Sequence, residues 1–300
     1  MIGMIGVVYA VKEAAANGFE PAVLAAAAIG IAALGMFGRR QTRLTYPLID
    51  ISLFRNRAFS GVVGANLLSV LGMSGLIYFI SQYFQLVMGY SPLKAGIASL
   101  PTTIGMVLLS VAAGGIIARS PSRTVLTWGL LIMGVAMVPL AVLTPDSPYL
   151  LIAVPLLLTG VGLALTMPTA NDLILSSVRK EESGAAAAIS ETAYELGMAL
   201  GIATLGSIVT NTYQGFTLPP GTPDDVAAEA QHSLAGAIQQ AQTLPAEQGR
   251  NLLDAAQDAF TSGLATAATV GAALLFAAAA CSWYLLKKPT PTAEEAISAH

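Results

Sequence analysis

Long apolar runs, separated by short basic or polar connections, organise this chain. A helix needs about 20 predominantly apolar residues to cross a bilayer. Helices are the expected element because lipid offers the backbone no hydrogen-bonding partner. The predicted spans lie near residues 21–38, 59–88, 95–118, 124–143, 148–178, 184–210 and 261–286.

A shorter apolar segment precedes these spans at the start of the chain. Only about 11 apolar residues come before Lys12, which is too few to cross a bilayer. We expect a helix whose first turns are missing, as in a fragment, a truncated reading frame or a misassigned start. No signal peptide is recognisable. The fold prediction is an all-α polytopic membrane protein with about eight transmembrane helices.

The composition supports a membrane protein and argues against an enzyme. Hydrophobic residues make up 55% of the chain and charged residues 10%, whereas a soluble domain carries about 25% charged residues. Cys281 cannot form an intrachain disulfide, and His232 and His300 lack metal-ligand spacing. A phosphate-binding loop of the Walker type and a nucleophile–base arrangement are both missing. We therefore predict no catalytic residues, no metal, no cofactor and no nucleic-acid partner.

The basic residues predict the orientation. Eleven of the 14 lie on one side of the predicted spans, which the positive-inside rule assigns to the cytoplasm. Lys12, Lys94 and Arg250 lie on the other side, and the C-terminus is then cytoplasmic. The polar stretch 212–260 falls outside, where its Ala- and Gln-rich sequence predicts a solvated hairpin of two helices. A cation-attracting vestibule is the alternative.

Three acidic residues lie within the predicted spans: Asp172, Glu191 and Glu195. Each costs about 2.5–3.5 kcal/mol at a helix centre, so such residues face a bundle interior and often mark an ion or substrate path. Glu195 shares a helix face with Glu191, and Asp172 would lie at similar depth in an antiparallel hairpin. Carboxylates clustered in low dielectric favour the protonated form, so this group could exchange protons for cations. Alternatively, Glu191 belongs to a first helical turn capped by Ser190, and Asp172 is structural.

Several segments carry a resemblance to a known family. The segment SGAAAAISETAYELGMALGIATLGSIV (183–209) resembles the next-to-last helix of the fourteen-span drug:proton antiporters of the major facilitator superfamily. In the subgroup that exports quaternary ammonium compounds and methyl viologen, an acidic residue occupies the position of Glu195. PLIDISLFRNRAF (47–59) and YFISQYFQLVMGYSPLKAGIASLP (78–101) resemble the start of the family's C-terminal half, and GVGLALTMPTANDLILSSV (160–178) resembles the helix before the acidic one.

This resemblance implies the organisation and function of the chain. Residues 1–45 correspond to two central helices, the first truncated, and residues 46–300 to a C-terminal six-helix bundle; the N-terminal bundle is missing. The implied function is proton-coupled efflux of lipophilic cations from a bacterial cell, through the inner membrane. The implied coupling residues are Glu195 and Glu191, supported by Asp172. The implied partners are the bilayer, protons, cationic small molecules and an N-terminal bundle.

A second hypothesis is a transport-inactive membrane fragment that associates with a partner bundle or dimerises. The short first helix and the missing half motivate it. A channel is disfavoured because no ring of repeated polar residues lines the predicted spans.

Further residues have weaker candidate roles. Aromatic faces can hold lipophilic cations, although packing and interfacial anchoring are the alternatives; the candidates are Tyr78, Tyr83, Phe84 and Tyr194. The segment GGIIARSPSRTVL (114–126) resembles a degenerate copy of the superfamily's cytoplasmic gating loop. Its matching residues are Gly114, Arg119 and Arg123, for which we expect packing rather than an ion-paired gate. Gly197 and Gly201 form a GxxxG pair that favours close helix packing.

Overall fold

Helices dominate the protein. The computed structural model describes residues 2–17, 20–44, 53–54 and 56–286, and the described part contains no strand. The helices are α1 (Ile2–Asn17), α2 (Pro21–Gln41), α3 (Arg57–Gln82), α4 (Pro92–Ala98), α5 (Leu100–Arg119), α6 (Ser122–Met137), α7 (Leu150–Ser176), α8 (Ser183–Gln214), α9 (Asp224–His232), α10 (Leu234–Ala241) and α11 (Ala246–Leu285). A π-helical turn, Tyr83–Val87, continues α3, and 3₁₀ turns occupy Val138–Val142 and Lys180–Glu182.

Seven stretches of helix in the described residues are long and apolar enough to cross a membrane. They are Pro21–Gln41, Phe59–Val87, Pro92–Arg119, Ser122–Val142, Leu150–Ser176, Ser183–Gln214 and Ala246–Leu285. The prediction of an all-α polytopic membrane protein is therefore confirmed. The short first segment forms α1, a helix of 16 residues.

The bundle is organised around α3, which packs against α7, α8 and α11. Helix α6 lies between α7 and α11, and α5 packs on the outer side of α7. One continuous core joins these helices, with Leu76, Leu130, Ile152, Leu205 and Leu275 almost fully buried. The core therefore holds the α3–α7–α8 face in a fixed arrangement.

Helices α3 and α8 approach unusually closely because α8 has glycine at the contact. A Cβ atom added at Gly197 would lie 2.7 Å from the Leu67 carbonyl oxygen. One added at Gly201 would overlap the Leu71 carbonyl oxygen and the Ser74 hydroxyl. Small residues at such contacts allow backbones to touch in membrane bundles.

Helices α1 and α2 form a pair beside the bundle. They touch where Gly6 meets Gly30, with 3.0 Å between an added Gly6 Cβ and the Gly30 Cα, and α1 also packs on α8. Helix α2 is largely exposed, since only 11% of its most apolar window is buried.

The connection between α8 and α11 is shorter than the polar stretch 212–260 that the sequence predicts. Helix α8 continues to Gln214, and α11 begins at Ala246, so the two short helices α9 and α10 occupy only the middle. The reason is an apolar stripe at four-residue spacing, Leu252, Ala256 and Phe260, which is buried and keeps the acidic residues on the outer side. With 40 residues, α11 is about 60 Å long, twice the roughly 30 Å hydrocarbon core.

Candidate functional site

A small polar cavity lies where α3, α7 and α8 meet. It has a volume of about 250 Å³, and its walls combine one carboxylate with amide, hydroxyl and aromatic groups. The lining residues are Asn66, Met167, Asn171, Ser190, Glu191 and Tyr194. Convergent polar groups of this kind can fix the orientation of a bound small molecule.

Each helix contributes polar groups that an apolar span would otherwise avoid. Asn66 lies within α3 and is only 6% exposed. The Ser190 hydroxyl of α8 donates to the Asn171 side-chain oxygen of α7, with 3.5 Å between the oxygens. Because uncompensated polar groups are costly in a membrane, these side chains gain by facing a common polar cavity. The arrangement can therefore hold a hydrated or cationic group beside the Glu191 carboxylate.

The three acids predicted as coupling residues differ in whether they line the cavity. Glu191 and Glu195 are both exposed along one face of α8, and Asp172 is exposed near the end of α7. Of the three, only Glu191 is among the residues that line the cavity. Within the described chain, no three His, Cys, Asp or Glu side chains come close enough to hold a metal ion.

The alternative in which Ser190 caps the helix at Glu191 is wrong. Helix α8 begins at Ser183, so Glu191 lies about two turns inside it. The Ala-rich run before Ser190 continues the helix because alanine has the highest helix propensity. Glu191 is thus a mid-helix carboxylate rather than a first-turn one.

The aromatic candidates separate into two groups. Tyr194 lines the polar cavity, and Tyr78 is 52% exposed on α3. Tyr83 and Phe84 are fully buried, at 0% exposure, so a solute cannot reach them. The Tyr83 hydroxyl donates to the Thr144 carbonyl, 2.8 Å away. Tyr83 and Phe84 therefore pack in the core, which was the alternative to a role in cation binding.

The gating-loop remnant shows no ion-paired gate. Nothing lies within 4 Å of a Cβ added at Gly114, so this glycine has no packing contact there. Arg119 ends α5 and is exposed. The Arg123 guanidinium lies over the Trp283 ring, 4.1 Å from its centroid. An ion pair joins Arg179 and Glu182 in the next loop on this side, with 2.7 Å between the guanidinium nitrogen and the carboxylate oxygen.

Tyr149, at the N-terminal end of α7, anchors the helix to α4. Its hydroxyl donates to the Ala98 carbonyl, 3.0 Å away. Partial burial raises the pKa of Tyr149 above its ordinary value, so the residue stays a neutral donor at physiological pH.

Of the six cavity residues, sequence reasoning named Glu191 and Tyr194 as site candidates and considered Ser190 only as a helix cap; it missed Asn66, Met167 and Asn171. Asn66 carried a usable signal, because an amide inside the apolar run GVVGANLLSVLG has to find a polar neighbour in the bundle. Met167 carried none, since methionine is an ordinary residue of apolar spans.

Comparison with known proteins assigns the chain to a family. The model described as "Major Facilitator Superfamily" matches residues 2–202. The chain is 39% identical over 279 residues to "Multidrug efflux pump LfrA" of Mycolicibacterium smegmatis, covering 92% of this chain and 55% of that protein. It is 31% identical over 261 residues to "Methyl viologen resistance protein SmvA" of Salmonella typhimurium, covering 86% and 52%.

A third relative is "Tetracenomycin C resistance and export protein" of Streptomyces glaucescens, 28% identical over 268 residues. The chain spans about half the length of the curated relatives it matches. The resemblance drawn from the sequence is confirmed by the family match and by these relatives. With its helical bundle and its membrane-spanning lengths, the chain is a multi-pass membrane protein that belongs to the Major Facilitator Superfamily.

Proposed function

We propose that this chain is the C-terminal part of a proton-coupled exporter of lipophilic cations, such as quaternary ammonium compounds and dyes. The observation that carries the proposal is the cavity between α3, α7 and α8, with the Glu191 carboxylate among neutral polar groups. Its relatives include proteins named for multidrug efflux and for methyl viologen resistance.

The cavity chemistry suits alternating occupancy by a proton and a cation. Glu191 is the only ionisable acid in the lining; Asn66, Asn171 and Ser190 are neutral. A protonated carboxyl satisfies this site by hydrogen bonding, whereas an ionised one needs a cation as counter-charge. Tyr194 adds an aromatic face on which a lipophilic cation can rest. Protonation of Glu191 therefore releases the cation, and deprotonation of Glu191 favours binding of the cation.

The exposed acids support a partner bundle. Glu195 and Asp172 lie on open faces of α8 and α7, where contact with hydrocarbon would cost about 2.5–3.5 kcal/mol for each carboxylate. Burial beside a water-filled path, shared with a second bundle, removes that cost. Transporters of this type work by rocking two bundles about a shared central site. We assign Glu195 and Asp172 to the wall of that shared path, with the C-terminus and the basic loops on the cytoplasmic side of the inner membrane.

The test is ethidium movement in proteoliposomes under an imposed pH gradient. We would reconstitute the chain alone and together with the part of LfrA that it does not match. The variants Glu191→Gln, Glu195→Gln and Asp172→Asn remove each acid with little change of shape. Asp225→Asn, on the exposed face of α9, is the matched control.

We expect pH-driven movement only with the second part present. Because contacts to charged groups are worth about 1.5–3 kcal/mol, Glu191→Gln should lower the rate about ten-fold or more, with Asp225→Asn unchanged. Unchanged movement in both glutamate variants would refute the coupling assignment. No movement with either preparation, from protein of native helicity, would favour the transport-inactive fragment instead.

A further inference from the structure

The basic end of the bundle holds an apolar groove that the transport proposal does not use. It lies between the start of α6 and the end of α11 and has a volume of about 400 Å³. The residues that shape it are Trp128, Leu131, Phe276, Ala280, Trp283 and Tyr284. The lining also includes Thr127 and Ala279, and none of these side chains carries a charge.

The groove opens outward rather than into the bundle. Trp128 is 59% exposed, Trp283 42% and Tyr284 72%. These residues belong to the membrane-crossing stretches Ser122–Val142 and Ala246–Leu285. Tryptophan and tyrosine concentrate where a helix meets the membrane–water interface. The open side of the groove therefore faces lipid, with its aromatic end at headgroup depth.

Arg123 places a cation at that aromatic end. The Arg123 guanidinium stacks on Trp283, 4.1 Å from the ring centroid, and a stacked guanidinium keeps its edge N–H groups free to donate. Across the described residues, Arg123 has no carboxylate within ion-pairing distance. Helix α6 contains no acid, and the acids of α11 all lie in its first half. Within the part of the chain that the structure describes, Arg123 therefore has no counter-charge, and an anion from the surroundings can supply one.

We propose that this groove binds an anionic phospholipid. Arg123 contacts the phosphate, and one acyl chain lies along the Ala280 side of the groove between the aromatic walls. The distance from Arg123 to Leu131 along α6 is about 12 Å, which accommodates the upper part of an acyl chain. Basic pockets between transmembrane helices select anionic headgroups in this way. A zwitterionic lipid carries its own cation, which competes with Arg123, so it should bind more weakly.

The sequence supplies a reporter for this site. The protein contains two tryptophans, and both line the groove. Bromine on an acyl chain quenches tryptophan fluorescence only at close range, so intrinsic fluorescence reads occupancy directly. We would reconstitute the chain in vesicles of phosphatidylcholine with a minor fraction of phosphatidylglycerol. One set carries bromine on the phosphatidylglycerol and the other on an equal amount of phosphatidylcholine, so that charge and bromine content match.

We expect brominated phosphatidylglycerol to bind about five-fold more favourably, the factor that one basic residue supplies at an anionic surface. Arg123→Gln should bring the two lipids to equal quenching. Arg119→Gln, which removes an exposed arginine at the same end of the bundle and outside the groove, should keep the preference. Circular dichroism and the fluorescence maximum check that each variant is folded.

Three results would overturn the proposal. Equal quenching by the two lipids in the unmodified chain would remove the headgroup preference. A preference for phosphatidylglycerol that persists in the Arg123→Gln variant would show that Arg123 does not cause it. Little quenching by either lipid would mean that protein, such as a second copy of the chain, covers the groove. If Arg123→Gln does not fold, displacement of the brominated lipid by unlabelled phosphatidylglycerol, but not by phosphatidylcholine, tests the unmodified chain.

Discussion

The contact between α3 and α8 allows a sharp test of how this bundle is held together. A Cβ added at Gly201 would overlap the Leu71 carbonyl oxygen, which is backbone and cannot rotate away. Gly201→Ala therefore forces the two helices apart by several tenths of an ångström or more. Helix separation is the only relief because Gly197, one turn earlier on α8, is also in close contact with the α3 backbone.

The expected destabilisation follows from the packing that separation would loosen. Leu205, one turn beyond Gly201, is fully buried at 0% exposure and contacts Gly75 of α3. A buried leucine makes about 40–60 atom contacts of about 0.1–0.2 kcal/mol each, and a gap of 0.5–1 Å forfeits at least a quarter of that attraction. The loss is then about 1–3 kcal/mol, within the range measured for overpacked cores.

The matched control is Gly115→Ala. Gly115 also lies inside a helix, α5, but nothing is within 4 Å of an added Cβ. Both substitutions gain about 1 kcal/mol of helix propensity, so the difference between them isolates the overlap at Gly201. Unfolding by titration with dodecyl sulfate in mixed micelles, followed by circular dichroism, measures both free energies of unfolding. A difference below about 0.5 kcal/mol would refute the close-contact argument.

Two further changes test the segment that joins α3 to α4. Tyr83→Phe removes the donor to the Thr144 carbonyl, and the free energy of unfolding should fall by about 1–3 kcal/mol if that carbonyl stays unpaired; an unchanged titration midpoint would contradict this role. Gly89 has φ of 64° and open space around it, so Gly89→Ala should cost about 1–2 kcal/mol by backbone strain alone, and Gly89→Asn less. Equal effects of alanine and asparagine in the same titration would count against strain.

Much of the fold could be predicted because lipid imposes simple rules on sequence. Apolar runs of about 20 residues had to be helices, and all seven predicted spans are present. The polar half of α11 was harder to predict. Leu252, Ala256 and Phe260 carry its apolar face, but Asp254 and Asp258 lie between them, so the segment resembled a solvated loop by composition. Its four-residue spacing was the available signal.

The site was predictable only in part. Glu191 stood out together with Glu195 and Asp172 because a carboxylate in an apolar span is expensive, and of these three only Glu191 lines the cavity. That Asn66 shares its cavity depends on how α3 packs on α8, and the two residues are more than a hundred positions apart. The same packing decides that Tyr83 is enclosed whereas Tyr78 is open. Composition and spacing along one helix do not contain that information.

The length of α11 has a consequence for how the bundle can be controlled. About half of this 40-residue helix extends past the hydrocarbon, and the projecting half is in contact with α10. From there, the Gln257 amide donates to the Leu86 carbonyl in the π-helical turn that ends α3, 3.4 Å away. The polar end of α11 is therefore in water and is hydrogen-bonded to the end of α3. A soluble protein that binds this end of α11 can restrain α3 without entering the membrane.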